Sequence, residues 1–177
     1  MRKVPRKCES VTLVDSLNTE EEVNEILDYF EFHEDSKLIL HTSEVDPHEK
    51  IFQVGKHVYI RNANRFIIDD VKKFNCKHLH IENHQMDIAT WIRNWKESSD
   101  STGLVLLEIR VQGALDSILD GLDPKPWNPT RRPRVFPLNS MDCGRFLDVQ
   151  RADGMIASFG INQGPETVSK LFMCIWH

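Results

Sequence analysis

Two stretches of this chain repeat one another at a fixed distance. Ile60 and Asn62 match Ile81 and Asn83 at an offset of 21, and Ile67, Val71 and Phe74 match Ile88, Ile92 and Trp95 at the same offset. In each copy an alternating segment (58–62, 79–83) reads as a strand, and the apolar residues after it fall at helical spacing. A third strand, 104–109, precedes Leu115, Ile118, Leu119 and Leu122, with Ile109 standing 28 residues after Ile81. Leu13 and Leu38–Leu40 mark two earlier strands of the same kind. Thr19 and Glu22 have capping-box spacing, so Asn18-Thr19 opens a helix whose apolar face is Val23, Ile26, Leu27 and Phe30.

Strand–helix units recurring every 20–29 residues cannot bury both faces alone, and stacking buries them. The expected fold class is therefore α/β: degenerate leucine-rich-repeat-like strand–helix units over residues 1–122, followed by a small antiparallel β module. The repeat is loose, because Asn62 and Asn83 form I-x-N rather than L-x-L-x-x-N. The competing expectation is a parallel α/β layer without strict repeats.

Residues 123–138 interrupt the pattern with Pro124, Pro126, Pro129, Pro133 and Pro137, five of the eight prolines in the chain. Proline fixes φ and removes a donor, which predicts a loop or linker. From 139 to 177 the pattern is β. Asp153-Gly154 predicts a two-residue hairpin. Leu171, Met173 and Ile175 alternate with Phe172, Cys174 and Trp176, a strand apolar on both faces and therefore central.

A chain of 177 residues with a mean hydropathy of −0.41 and 28% charged residues is an ordinary globular composition. No apolar run reaches the roughly 18 residues of a membrane span, and none follows the basic start Arg2, Lys3, Arg6, Lys7. No membrane association is therefore expected, and localisation is expected to be cytoplasmic or nuclear. Residues 9–49 carry thirteen acids against one base, Lys37, while residues 89–177 hold ten of each. An acidic first third argues against broad nucleic-acid binding. Cys8, Cys76, Cys143 and Cys174 are far apart, without a CxxC pair, and read as reduced thiols.

No P-loop, GxGxxG, HExxH or EF-hand is present, and neither a cofactor nor catalysis is expected. Cys76, His78 and His80 alternate on one face of a strand, with His84 following, and are the one candidate metal cluster. Leu79 and Ile81 would then face the core and leave the histidines exposed. A thiol hydrolase pairing Cys143 with a histidine is the enzymatic alternative. Pro126-x-x-Pro129-x-Arg131 has the form of an extended polyproline ligand, and Arg131, Arg132 and Arg134 make a cationic patch beside Trp127. The plain alternative is a loop with solvated arginines; RNA binding through Arg131–Arg134 is a third. Trp91 and Trp95, spaced with Ile88 and Ile92, read as core.

The stretch from Ile88 to Ser98 with its two tryptophans, followed by Leu104–Ile109, resembles the "W-x-x-x-W-K-x-S … L-x-x-L-x-I" stretch of the nematode F-box-associated domain family. So do Val149–Ser158 and Phe172–Trp176, which are similar to the family's R-x-D-G-x-x-A-T hairpin and closing aromatic–Val–Trp strand. Ser158 stands where Thr is usual, and Ile175 where Val is usual. The resemblance spans about residues 57–177. It implies a non-enzymatic protein–protein interaction domain that presents ubiquitination substrates to a cullin ligase, reached through a Skp-type adaptor that docks on an F-box. No F-box-like segment is expected before Val11. The expected partner is a protein, and the expected binding residues are His78, His80 and Glu82 on the strand face, or Trp127, Arg131, Arg132 and Arg134 on the loop.

Overall fold

The computed structural model describes residues 6–14, 19–42, 45–98, 103–163 and 168–177. Arg2, Lys3 and Asn18 lie outside them. The chain folds as two compact units, Met1–Met86 with Thr102–Leu104, and Asp87–Ser101 with Val105–His177.

The first unit is a parallel sheet of four strands in chain order: β1 (Ser10–Val14), β2 (Lys37–His41), β3 (His57–Ile60) and β4 (His78–Ile81). The register pairs Ser10 with Lys37, Lys37 with His57, and His57 with His78. Alternation puts Val11 and Leu13, Leu38 and Leu40, Val58 and Ile60, and Leu79 and Ile81 on the buried face. The repeated isoleucines, Ile60 and Ile81, are direct partners across the ladder.

Of the three connections along the sheet, the first is the longest and holds the longest helix. α1 (Glu20–Tyr29) is capped as its sequence predicts: Glu22 N–H donates to Thr19 Oγ1 at 3.2 Å, and Thr19 N–H donates to the Glu22 carboxylate at 3.2 Å. Its buried residues are Val23 and Leu27. The next connection holds the short helix Glu49–Phe52 and the third a 3-10 helix, Ile68–Lys73. Here the helical reading needs correction, because Ile67 precedes the helix and is exposed, while Val71 and Phe74 are buried.

The second unit contains α2 (Ile88–Glu97), capped by Asp87, whose carboxylate accepts from Thr90 N–H at 3.0 Å. Ile88, Trp91, Ile92 and Trp95 are its buried face, so both tryptophans are core. An antiparallel sheet follows the order β5 (Leu106–Gln112), β8 (Val168–Trp176), β7 (Ile156–Gln163) and β6 (Leu147–Gln150), with Lys125–Pro126 at the edge. β8 lies between β5 and β7, so the strand apolar on both faces is central.

Three expectations change here. β5, read as a third strand–helix unit of the array, pairs antiparallel with β8: Leu171 faces Ile109 and Cys174 faces Leu106. α2 and β5 both belong to the second unit, whereas the sequence reading divided the chain after residue 122. The hairpin between β6 and β7 has a three-residue loop rather than two. Arg151 N–H donates to Met155 O at 2.9 Å, Gly154 N–H donates to Arg151 O at 3.1 Å, and Gly154 sits at φ +93. The left-handed glycine closes the loop, a form common among three-residue hairpins.

Candidate functional site

On the face of the first unit's sheet opposite the aliphatic residues, rings stand in two rows. His57 and His78 stack at 4.3 Å with 9° between their planes. His41 lies 4.9 Å from Tyr59, and Tyr59 meets His80 edge-on at 4.7 Å. The rows follow from the register, since His57 pairs with His78 and Tyr59 with His80, and direct cross-strand neighbours bring side chains into contact. His80 Nε2 sits 3.3 Å from a Glu82 carboxylate oxygen. His78, His80 and Glu82 are half-buried rather than fully exposed, because each ring is partly covered by the next.

The candidate metal cluster does not assemble. Cys76 precedes β4 and is buried, and burial pushes its thiol up to about 12. A thiol held protonated is a poor zinc ligand. Among the described residues, no group of three or more His, Cys, Asp or Glu side chains is placed to hold a metal ion.

Beyond the strands, Asn83 Nδ2 donates to Asn62 Oδ1 at 2.7 Å, and Asn62 Nδ2 donates to Thr42 O at 2.6 Å. The I-x-N repeat is thus a ladder of side-chain amides running across the strand ends.

The proline-rich segment is not a free extended ligand. Lys125–Pro126 pairs with Leu147–Asp148, and the Asn128 carbonyl accepts from Arg131 N–H at 3.0 Å, which curls the chain. Proline at a sheet edge removes no needed ladder bond. Trp127 is half-buried and donates Nε1–H to Arg132 O at 3.3 Å. The three arginines separate. Arg131 donates to Gln150 at 2.7 Å. Arg134 is exposed and forms a two-pronged pair with Asp142 at 2.9 and 2.7 Å. The Arg134 guanidinium, with help from Gly144 N–H, holds the Asp142 carboxyl down at about 2.

Arg132 corrects the picture of a solvated patch, since its side chain is 2% exposed. It grips Asp148 through Nε at 2.9 Å and Nη2 at 2.7 Å, donates Nη2 to Cys143 O at 3.0 Å, and lies 4.8 Å from the Trp176 ring. Asp148 also accepts from Ser158 Oγ at 2.7 Å, and Ser158 Oγ accepts from Trp176 Nε1–H at 2.7 Å. Every polar atom of this buried group is thereby engaged in the network, which is what makes the burial tolerable.

Cys143 does not face a histidine. Its sulfur lies 3.9 Å from Cys174 Sγ and 3.7 Å from Met141 O, in a cluster with Leu106, Phe136 and Trp176. The thiol-hydrolase pairing therefore has no counterpart at this position.

Sequence reading also missed an open groove of about 640 Å³ in the second unit. Arg93, Lys96 and Glu97 of α2 line one side, and Gln150, Arg151 and Gly154 another. Lys96 Nζ donates to Leu122 O at 2.9 Å, and buried Arg151 pairs with Asp153 while lying 5.5 Å from the Trp95 ring. The signal was weak, since these residues come from three separated segments. Among the described residues, no helix is long and apolar enough to cross a membrane.

Comparison with known proteins gives two results. The family model described as F-box associated matches residues 46–109, which holds β3, β4, α2 and the start of β5. Three Caenorhabditis elegans proteins align more broadly. The uncharacterized protein F54H12.5 is 28% identical over 92% of this chain and 49% of its own length. The uncharacterized protein F59B2.9 is 22% identical over 97% of this chain and 42% of its own length. The uncharacterized protein F59B2.8 is 23% identical over 68% and 30% respectively. The chain thus spans about half the length, or less, of the curated relatives it matches. No solved structure matches it. The matched segment begins before residue 57 and ends before the β6–β7 hairpin, so the hairpin likeness lies outside it. The resemblance read from the sequence is matched at the level of the family: residues 46–109 are similar to the F-box-associated model, and the similar proteins come from a nematode.

Proposed function

We propose that the chain is a non-enzymatic protein–protein interaction domain that recognises a ubiquitination substrate for a cullin ligase, working in the cytoplasm or nucleus. The observation that carries this reading is the F-box-associated match over residues 46–109. That span contains His57, Tyr59, His78, His80 and Glu82, so most of the ring-bearing strand face, all but His41, lies within the matched sequence. Tight ring packing makes this face rigid before a partner arrives, which lowers the ordering cost of binding. Half-buried aromatic and imidazole rings are also surfaces that protein partners use as anchors.

The same reading takes the four parallel strands as leucine-rich-repeat-like. Two observations support it: strand register at intervals of 20 and 21 residues, from Lys37 to His57 to His78, and the Asn62–Asn83 amide pair. Trp127, Arg131 and Arg134 offer a secondary contact, while Arg132 acts from within the fold.

The test is affinity purification of the tagged full chain expressed in C. elegans, beside a Tyr59→Ala/His78→Ala variant whose folding is checked by circular dichroism. The reading expects a reproducible protein set, including ligase components, that the variant loses. Identical recovery by a folded variant, or no reproducible recovery by either, would overturn it.

A further inference from the structure

Four cysteines spread over the sequence carry no pairing signal, yet folding brings two of them into contact. Cys174 lies on the central strand β8, paired with Leu106 of β5 and Ser158 of β7. Cys143 directly follows Met141–Asp142, a two-residue ribbon paired with Val135–Phe136. Their sulfurs are 3.9 Å apart, and the residues stand 31 positions apart in the chain. The Cys143 backbone is fixed on both sides, its N–H donating to Arg134 O at 2.8 Å and its carbonyl accepting from Arg132. Cys174 is fixed by its two ladder neighbours. The remaining cysteines are placed differently: Cys8 donates Sγ–H to Ser10 O, and Cys76 is buried in the first unit.

We infer that Cys143 and Cys174 are a redox pair that closes to an intramolecular disulfide under a peroxide, tying the 132–143 segment to the central strand. A disulfide needs sulfurs at about 2.05 Å, so side-chain rotation must close the present gap. Cys143 is the sulfur that reacts first. The sulfur–sulfur contact with Cys174 and the nearby Arg132 guanidinium hold the Cys143 thiol below its ordinary range, whereas the same contact and burial push Cys174 up. The Cys143 thiolate attacks one peroxide oxygen and the O–O bond breaks. This gives a sulfenic acid, and hydroxide leaves. Cys174 sulfur then attacks the sulfenic sulfur. The S–O bond breaks, and the Cys174 proton leaves with the hydroxyl as water. One peroxide is reduced and two thiols are oxidised.

Both sulfurs are buried in a cluster with Phe136 and against Trp176. Peroxide therefore reaches them when the two-residue ribbon opens, and oxidation is slower than for a surface thiol. The closed disulfide pins that ribbon and the loop bearing Arg132 and Arg134.

The experiment treats the purified, reduced full chain with hydrogen peroxide, alkylates it under denaturing conditions, and maps peptides without reduction. The expected product is a Cys143–Cys174 cross-linked peptide lighter by two hydrogen atoms than its reduced pair, abolished by dithiothreitol, with Cys76 alkylated. A raised melting temperature accompanies it. Recovery of both Cys143 and Cys174 as alkylated thiols after Cys8 has oxidised, or cross-links joining other cysteines instead, would overturn the inference. Mapping on the wild-type chain does not depend on how Cys143→Ser folds.

Discussion

Arg132 and Asp148, sixteen residues apart, meet in the interior as a two-pronged ion pair with both side chains almost wholly buried. The carboxylate also takes the Ser158 hydroxyl, and the guanidinium takes the Cys143 and Pro133 carbonyls, at 3.0 and 2.9 Å. Removing one member strands a charge out of water. Asp148→Asn is expected to destabilise the fold by about 3–5 kcal/mol. Arg132→Lys keeps the charge but loses the planar fork, and should also destabilise clearly. Urea denaturation followed by tryptophan fluorescence checks both. A loss under about 1 kcal/mol for Asp148→Asn would mean the network is not formed.

Arg134 and Asp142 make the contrasting pair, exposed and geometrically similar. The Asp142 carboxyl is held at about 2 against its ordinary 3.8. A depressed folded value means the ionised form favours the fold. Its contribution is complete above 3.8 and disappears as pH falls through about 2. Carboxyl-carbon NMR titration should therefore place Asp142 near the bottom of the carboxylate range. Arg134→Ala should move its midpoint back up toward 3.8, and added salt should do so in part.

Asn83 holds a left-handed backbone, φ 44, while its amide reaches Asn62. Asn83→Ala loses the hydrogen bond and strains the backbone, and is expected to destabilise by about 1–3 kcal/mol. Asn83→Gly relieves the backbone term and should cost less. Equal losses for Ala and Gly, read by thermal melts, would show that the backbone conformation contributes nothing.

Gly160 on β7 is pressed by the Phe146 ring, where an added Cβ would stand 2.1 Å from a ring carbon. Gly160→Ala must displace that ring and is expected to destabilise by about 1–3 kcal/mol. In a Phe146→Ala background the same change should be much milder, because the obstructing ring is gone. A double-mutant cycle with no coupling would contradict the contact.

Much of the first unit was legible because its signals are local. Strand alternation, the Thr19–Glu22 capping box and the 21-residue offset each act over a few residues or one repeat. The helical spacing at Ile67–Phe74 misled because a 3-10 turn satisfies part of the same pattern. In the second unit the deciding contacts are distant. An apolar run such as Leu104–Ile109 fits a parallel or an antiparallel neighbour equally well, and β8, more than fifty residues later, settles it. Arg132 reads as a surface charge until Asp148 and Trp176 are placed around it. Likewise, nothing in the spacing of Cys143 and Cys174 announces that they touch. The ring-bearing face was half legible: its alternation was visible, but the stacking that covers the rings depends on the register between strands.

The central claim is that the strand face of the first unit, rather than the groove of the second, engages the partner. Its most direct test is quantitative mass spectrometry of proteins captured by the wild-type full chain, a His78→Glu/His80→Glu variant and an Arg93→Glu variant, all verified as folded. The account predicts that the captured set is lost from the histidine variant and kept by Arg93→Glu. Loss with Arg93→Glu and retention by the histidine variant would contradict it.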